Sequence, residues 1–184
     1  MTIRVLRPAD APAYRALRLF ALQDAPFAFS DSYEDEVRKT PEAYRDEIGF
    51  GFPWDAFVVG AFAADGTLSG YVRFRRDGRS KARHRAGLYG LYVGPTFRGR
   101  GLAWQLMDEG IRMAQAVPGL TQLQLWVLAP DGNPLVDLYT RLGFAAVGPV
   151  VPNDLLIDGR YVDALCMIRH LDAIDDPQNT KFAT

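Results

Sequence analysis

Arg98-Gly99-Arg100-Gly101-Leu102-Ala103 places two glycines and two arginines where a strand-like run ends and a helical pattern begins. Leu91-Tyr92-Val93 is β-branched and aromatic, and Pro95 behind it cannot join a ladder. Leu102, Leu106, Ile111 and Met113, with Ala103 and Met107 on the same broad face, recur at helical spacing. At such a junction several backbone N–H groups have no intrahelical partner, and the helix dipole adds positive potential. Arg98 and Arg100 add charge. The chemistry this arrangement suits is capture of a phosphate or pyrophosphate. No G-x-G-x-x-G and no G-x-x-x-x-G-K-[ST] run is present, so the commoner nucleotide loops are excluded.

A second segment, Leu138-Tyr139-Thr140-Arg141-Leu142-Gly143-Phe144, carries a phenol that is protonated at neutral pH and so can serve as an acid. The first segment fits R-x-x-G-x-A behind V-x-P, and the second fits L-Y-x-x-L-G-F. Together they resemble the GNAT superfamily of acyl-CoA-dependent N-acyltransferases, over residues 2 to 170. The resemblance implies transfer of an acetyl group from acetyl-CoA to an amine, by direct attack in a ternary complex and without a metal. The acceptor would be a small molecule or a peptide. Arg98, Gly99, Arg100, Gly101, Leu102 and Ala103 would hold the pyrophosphate of coenzyme A. Leu91, Tyr92 and Val93 would pair their backbone with the pantetheine arm like an added strand, with an N–H near Val93 facing the thioester oxygen. Tyr139 would be the general acid that protonates the leaving thiolate. Asn133 resembles the family asparagine that contacts coenzyme A, but it stands six residues before Tyr139 where the usual interval is seven, and Gly132 holds the usual place. Many relatives carry a glutamate early in the strand before the phosphate loop, and the equivalent place here is near Gly87. Base candidates therefore fall to the loop that lines the acceptor site in the family, at Glu34, Asp35 and Glu36, with Glu34 and Glu36 singled out. The alternative function is a non-catalytic acyl-CoA-binding sensor module.

The elements that must position these residues follow from pattern. Thr2 to Leu6 reads as a strand, and Asp10 as the N-cap of a helix with Ala13, Leu17, Phe20 and Ala21 on one face. A loop spans Phe27 to Lys39. Thr40 caps, and Pro41 opens, a helix to Ile48. Asp55 to Ala63 and Leu68 to Arg75 form a hairpin across an Asp-Gly turn. Gly87 to Val93 and Gln122 to Leu128 flank the helix from Gly101 to Ala116, and a strand–helix–strand crossover makes them parallel neighbours. Asn133 to Leu142 is a helix ended by Gly143. Ala145 to Val150 and Arg160 to Ile168 close the sheet. The expected class is α/β (α+β), the GNAT fold: a single mixed, mostly antiparallel twisted sheet of about seven strands with about four helices. One domain is expected over residues 1–171, with a polar tail over 172–184.

Composition bounds the rest. The 184 residues are 48% hydrophobic and 23% charged, which suits a globular core. A formal net charge of -1 argues against nucleic acid as a partner. No apolar run approaches a membrane span. The strand-like start and the lone Cys166 make a reducing cytoplasm, with no signal peptide and no disulfide, the expected address. A homodimer is left open. His84 and His170 form no metal-ligand pattern, and no G-x-S-x-G elbow supports a hydrolase. Phe27, Phe29, Phe50, Phe52, Trp54 and Trp126 could shape an acceptor pocket. Arg75 to Arg85 is strongly basic and reads as a solvated hairpin.

Overall fold

The structure is a computed structural model and describes residues 1–48, 55–129 and 131–172. Eight strands form one sheet: β1 (Thr2–Val5), β2 (Ala56–Phe62), β3 (Leu68–Arg76), β4 (Arg85–Val93), β5 (Gln122–Leu128), β6 (Ala145–Ala146), β7 (Val151–Ile157) and β8 (Arg160–His170). Their order is β1-β2-β3-β4-β5-β8-β6, with β7 also on β8. Only β4 and β5 run parallel. Among the described residues five α-helices accompany the sheet: α1 (Ala11–Asp24), α2 (Tyr33–Val37), α3 (Pro41–Ile48), α4 (Leu102–Gln115) and α5 (Pro134–Arg141).

One face of the sheet packs on α4. Leu102, Leu106, Met107, Ile111 and Ala114 bury against Val59, Val72, Phe74, Leu88 and Leu125. Gly110 lets the helix sit close, because a Cβ there would already lie 3.4 Å from both Leu88 and Val72. The other face packs on α1 and α3 through Tyr14, Tyr44, Ile48, Val58, Tyr71 and Tyr92.

Four sequence expectations change. The loop of Phe27–Lys39 contains α2, capped by Ser32 Oγ on the Asp35 N–H. The strand placed over Ala145–Val150 shrinks to two residues, and β7, which was not foreseen, forms a hairpin with β8. The Val151–Ile157 segment holds Pro152, Asn153 and Asp154, which mask its strand pattern. Asp10 stands at the N-cap position of α1, as expected, but its side chain makes no cap hydrogen bond. Its carboxylate accepts from the Arg7 N–H at 2.7 Å and pairs with Arg4. The buried face of α1 is Ala11, Tyr14, Arg18, Ala21 and Leu22, while Phe20 is exposed. Of the expected stripe, Ala21 is buried and Leu17 packs against the core, but Ala13 and Phe20 are exposed, because the buried face is centred on Tyr14 and Arg18. Phe50, Phe52, Trp54 and the tail beyond Asp172 lie outside the described residues.

Candidate active site

β4 and β5 pair only from Arg85 to Gly87 against Gln122 to Gln124, and then part. Beyond that point Tyr92 and Val93 keep β3 on one side, and among the described residues Leu91, Tyr92 and Val93 pair with no strand on the other. The opening lies at the carboxyl ends of two parallel strands, where open sheets place their ligands. A bulge in the β3–β4 ladder accompanies it, between Tyr71↔Tyr92 and Arg73↔Tyr89. Gly90 supplies the left-handed backbone of the bulge, with φ +66°.

After β4 the chain turns through Pro95–Phe97 and enters α4 across two left-handed glycines, Gly99 and Gly101, each with φ +74°. No side chain caps α4. A Cβ added at either glycine would meet nothing within 4 Å. The backbone cradle expected from the sequence is therefore open above both positions and fits a bulky anion. Arg100 is exposed beside it. Arg98 is placed differently from the expectation. Its guanidinium donates to the Val93 carbonyl at 2.9 Å and to Asp24 at 2.5 Å, and lies over Tyr92. In this arrangement it staples the end of β4 to the end of α1. Asn133 caps α5 through its Oδ1 on the Leu135 N–H and donates from Nδ2 to the Leu128 carbonyl, both at 3.0 Å. Both of its polar atoms are engaged in joining β5 to α5.

Tyr139 projects from α5 into the opening. It is 6% exposed, burial pushes its phenol pKa up, and its hydroxyl has no hydrogen-bond partner among the described residues. It lines a cavity of about 460 Å³ together with Asp31, Arg73, Tyr89, Trp126 and Asp154.

Neither Glu34 nor Glu36 lines this cavity. Glu34 is exposed and borders a separate hollow with Leu22 and Leu156. Glu36 is 1% exposed and is locked against Arg18 at 3.3 Å and Lys39 at 3.2 Å. The loop instead presents Asp31, whose carboxylate pairs with Arg18 and, at 2.8 Å, with Arg73. Arg73 continues to Glu47 at 3.6 Å, and Glu47 to Lys39 at 2.7 Å. Six ions thus alternate in sign around a closed ring: Arg18, Asp31, Arg73, Glu47, Lys39, Glu36. Tyr14 donates to Glu47 at 3.0 Å and Tyr44 to the Glu36 carbonyl at 3.3 Å. Burial alone would push Asp31 up, but the Arg73 hydrogen bond and the charges of Arg73, Arg18 and Lys39 hold it below the usual carboxylate range. Burial likewise opposes the Arg73 charge, and Tyr14, Asp31 and Glu47 outweigh it.

Sequence reasoning passed over Asp31, Arg73 and Asp154. Arg73 had a signal: it interrupts the apolar run Tyr71-Val72-Arg73-Phe74 at a position that alternation buries, as Arg18 does on α1. Asp31 and Asp154 sit in polar stretches with no such mark. Among the described residues no cluster of His, Cys, Asp or Glu is placed to hold a metal ion, and no helix is long and apolar enough to cross a membrane.

The fold has counterparts among solved structures. An acetyltransferase of the GNAT family from Streptococcus pneumoniae is 26% identical with a TM-score of 0.78, over 92% of this chain and 99% of that one. A ribosomal-protein-alanine N-acetyltransferase from Brucella melitensis is 22% identical with a TM-score of 0.71, over 93% and 100%. A GNAT superfamily phosphinothricin acetyltransferase from Sinorhizobium meliloti, in complex with AcCoA, is 20% identical with a TM-score of 0.73, over 92% and 88%. No relative was found among curated proteins. The family model for the Acetyltransferase (GNAT) family matches residues 17–144, a span that contains the glycine cradle, the parted strands and Tyr139. On that match the chain belongs to the GNAT acetyltransferase family.

Proposed function

We propose that this chain is an N-acetyltransferase that moves an acetyl group from acetyl-CoA to the amine of an acceptor within a ternary complex. The observation that carries this reading is the placement of the unpartnered Tyr139 phenol in the cavity that opens where β4 and β5 separate. Bound in the opening, acetyl-CoA would supply an activated thioester. Gly99, Arg100, Gly101 and the first turn of α4 would hold its pyrophosphate. The free edge of Leu91–Val93 would take the pantetheine arm as an extra strand. Main-chain N–H groups at that edge would also face the developing oxyanion. Tyr139 would give its proton to the departing sulfur. Its raised pKa keeps it protonated, and the same dry surroundings disfavour a thiolate, so the transfer stays favourable. Asp31, held ionised, would draw an ammonium-bearing acceptor into the cavity past Tyr89 and Trp126. A carboxylate held so acidic is a weak base. Turnover should therefore climb with pH toward the acceptor's own pKa.

Tyr139→Phe is the test. The hydroxyl has no partner among the described residues, so stability and the rise in Tm with acetyl-CoA should be unchanged. Turnover should fall by roughly 10²–10⁴-fold. Undiminished turnover would remove Tyr139 from the chemistry. A Tm rise without thioester cleavage for any amine would point to a binding module instead.

A further inference from the structure

We propose that the acceptor is bipolar, an amine carrying an anionic group about 10 Å away, and that Arg75 and Arg85 receive the anionic end. This rests on the acetyltransferase reading and names the substrate class of that site.

The cavity holding Tyr139 shares Gly87, Tyr89 and Gln124 with a second hollow of about 550 Å³. That hollow is lined by Arg75, Arg76, Arg79 and Arg85 around a single acid, Asp77. Asp77 pairs with Arg79 at 2.6 Å and with Arg85 at 3.2 Å. Asp77 is thus shared between two guanidiniums, and among the described residues no ion pair reaches Arg75. Arg75 is exposed, has no ion pair or hydrogen bond among the described residues, and lies close enough to act on the Tyr89 phenol through its charge. The other cavity has the opposite character. Its acids are Asp31 and Asp154 and its one arginine is Arg73; Asp31 is already matched by Arg18 and Arg73, so Asp154 is the acid left without an ion pair among the described residues. One continuous cleft is therefore acidic beside Tyr139 and basic at its far end.

Gly87 sits at the junction. A Cβ there would meet the Tyr89 ring at 3.3 Å and the Gln124 carbonyl at 3.9 Å, so the glycine keeps the passage low. The register sets Arg75 directly across from Gly87. From Gly87 to Leu91 is four residues, at most about 13 Å if fully extended, and the bulge at Gly90 shortens the span to about 10 Å. A plain amine would meet an unfavourable field at the basic end. A molecule with a positive head and a negative tail satisfies both ends, and an arginine can grip a carboxylate or phosphate with two hydrogen bonds.

Three acceptors of one length test this on the full chain: 8-aminooctanoate, 8-aminooctyl phosphate and 8-aminooctanamide. Two quantities are read, kcat/KM with acetyl-CoA and the dissociation constant by calorimetry in the presence of coenzyme A. At least one anionic probe should be favoured over the amide by about tenfold or more, and the better of the two identifies the anion. In Arg75→Ala/Arg85→Ala the ratio of anionic probe to amide should fall to about one. Equal values for all three probes, no binding of any of them, or a double variant that lowers all three in proportion would overturn the proposal. If acetyl-CoA itself gives no rise in Tm, the acetyltransferase reading fails, and that result is read separately from the probe ratios.

Discussion

Gly90 meets two demands at once. Its backbone is left-handed, and a Cβ on it would lie 2.8 Å from the Nε of Arg73, whose side chain is buried beneath the bulge. Gly90→Ala should therefore cost about 1–3 kcal/mol in urea unfolding and should weaken acceptor binding, because the guanidinium that holds Asp31 must move. Glu36 offers a sharper contrast between two roles. A base would lose turnover as Glu36→Gln and regain it at high pH. A member of the ion ring would instead lose stability. Glu36→Ala should lower unfolding free energy by about 3 kcal/mol, since Arg18 and Lys39 are left short of a counter-ion, and raising the pH should restore nothing. Chemical denaturation beside a pH–rate profile separates the two outcomes.

At the scale of elements, the glycine cradle and α4 act together. Gly101→Ala places a methyl group in open space above the helix N-terminus, so little in the folded chain resists it beyond a left-handed strain of about 1 kcal/mol. The rise in Tm with acetyl-CoA should nevertheless shrink, because the methyl group stands where the pyrophosphate must approach. A full-sized rise would show that the cradle lies elsewhere. This element was legible in sequence because its signals are local: a proline, two glycines and a helical stripe within a dozen residues. The parallel pair β4 and β5 followed from the same stretch by the crossover rule. The opposite face was not legible. Its organising residues, Arg18, Asp31, Arg73, Glu36, Lys39 and Glu47, come from α1, α2, α3, β3 and the loops on either side of α2, and mean nothing until the fold brings them together. Hydrophobic patterning treats a buried arginine as a surface residue, so it rotated the expected face of α1 partly away from the core, and the carboxylate that lines the cavity lies three to five residues before those singled out in the loop. The β7–β8 hairpin was missed for a related reason, since an edge strand that is mostly exposed carries little alternation to read.

Across the whole molecule, the two faces of the sheet are stabilised by different physics. The α4 face is packed with aliphatic and aromatic side chains, and the α1–α3 face encloses the ring of ions. Asp31 and Glu47 both have lowered pKa values in the folded chain. A depressed carboxylate contributes stability that is present above its unfolded pKa, about 3.9 for Asp and 4.3 for Glu, and is lost as pH falls through the lower folded value. Tm should thus be level from neutrality to about pH 5 and decline below about pH 4. Glu47 is mostly buried and poorly reached by salt, so its share of this decline should persist at high ionic strength. The closed ring has a consequence for the order in which the protein fails. Acid acts most strongly through the clustered carboxylates of the α1–α3 face, whereas heat weakens both faces. On gradual acidification the chain should forget its acceptor before its cofactor, leaving a half-competent species that still answers to acetyl-CoA but no longer distinguishes one amine from another.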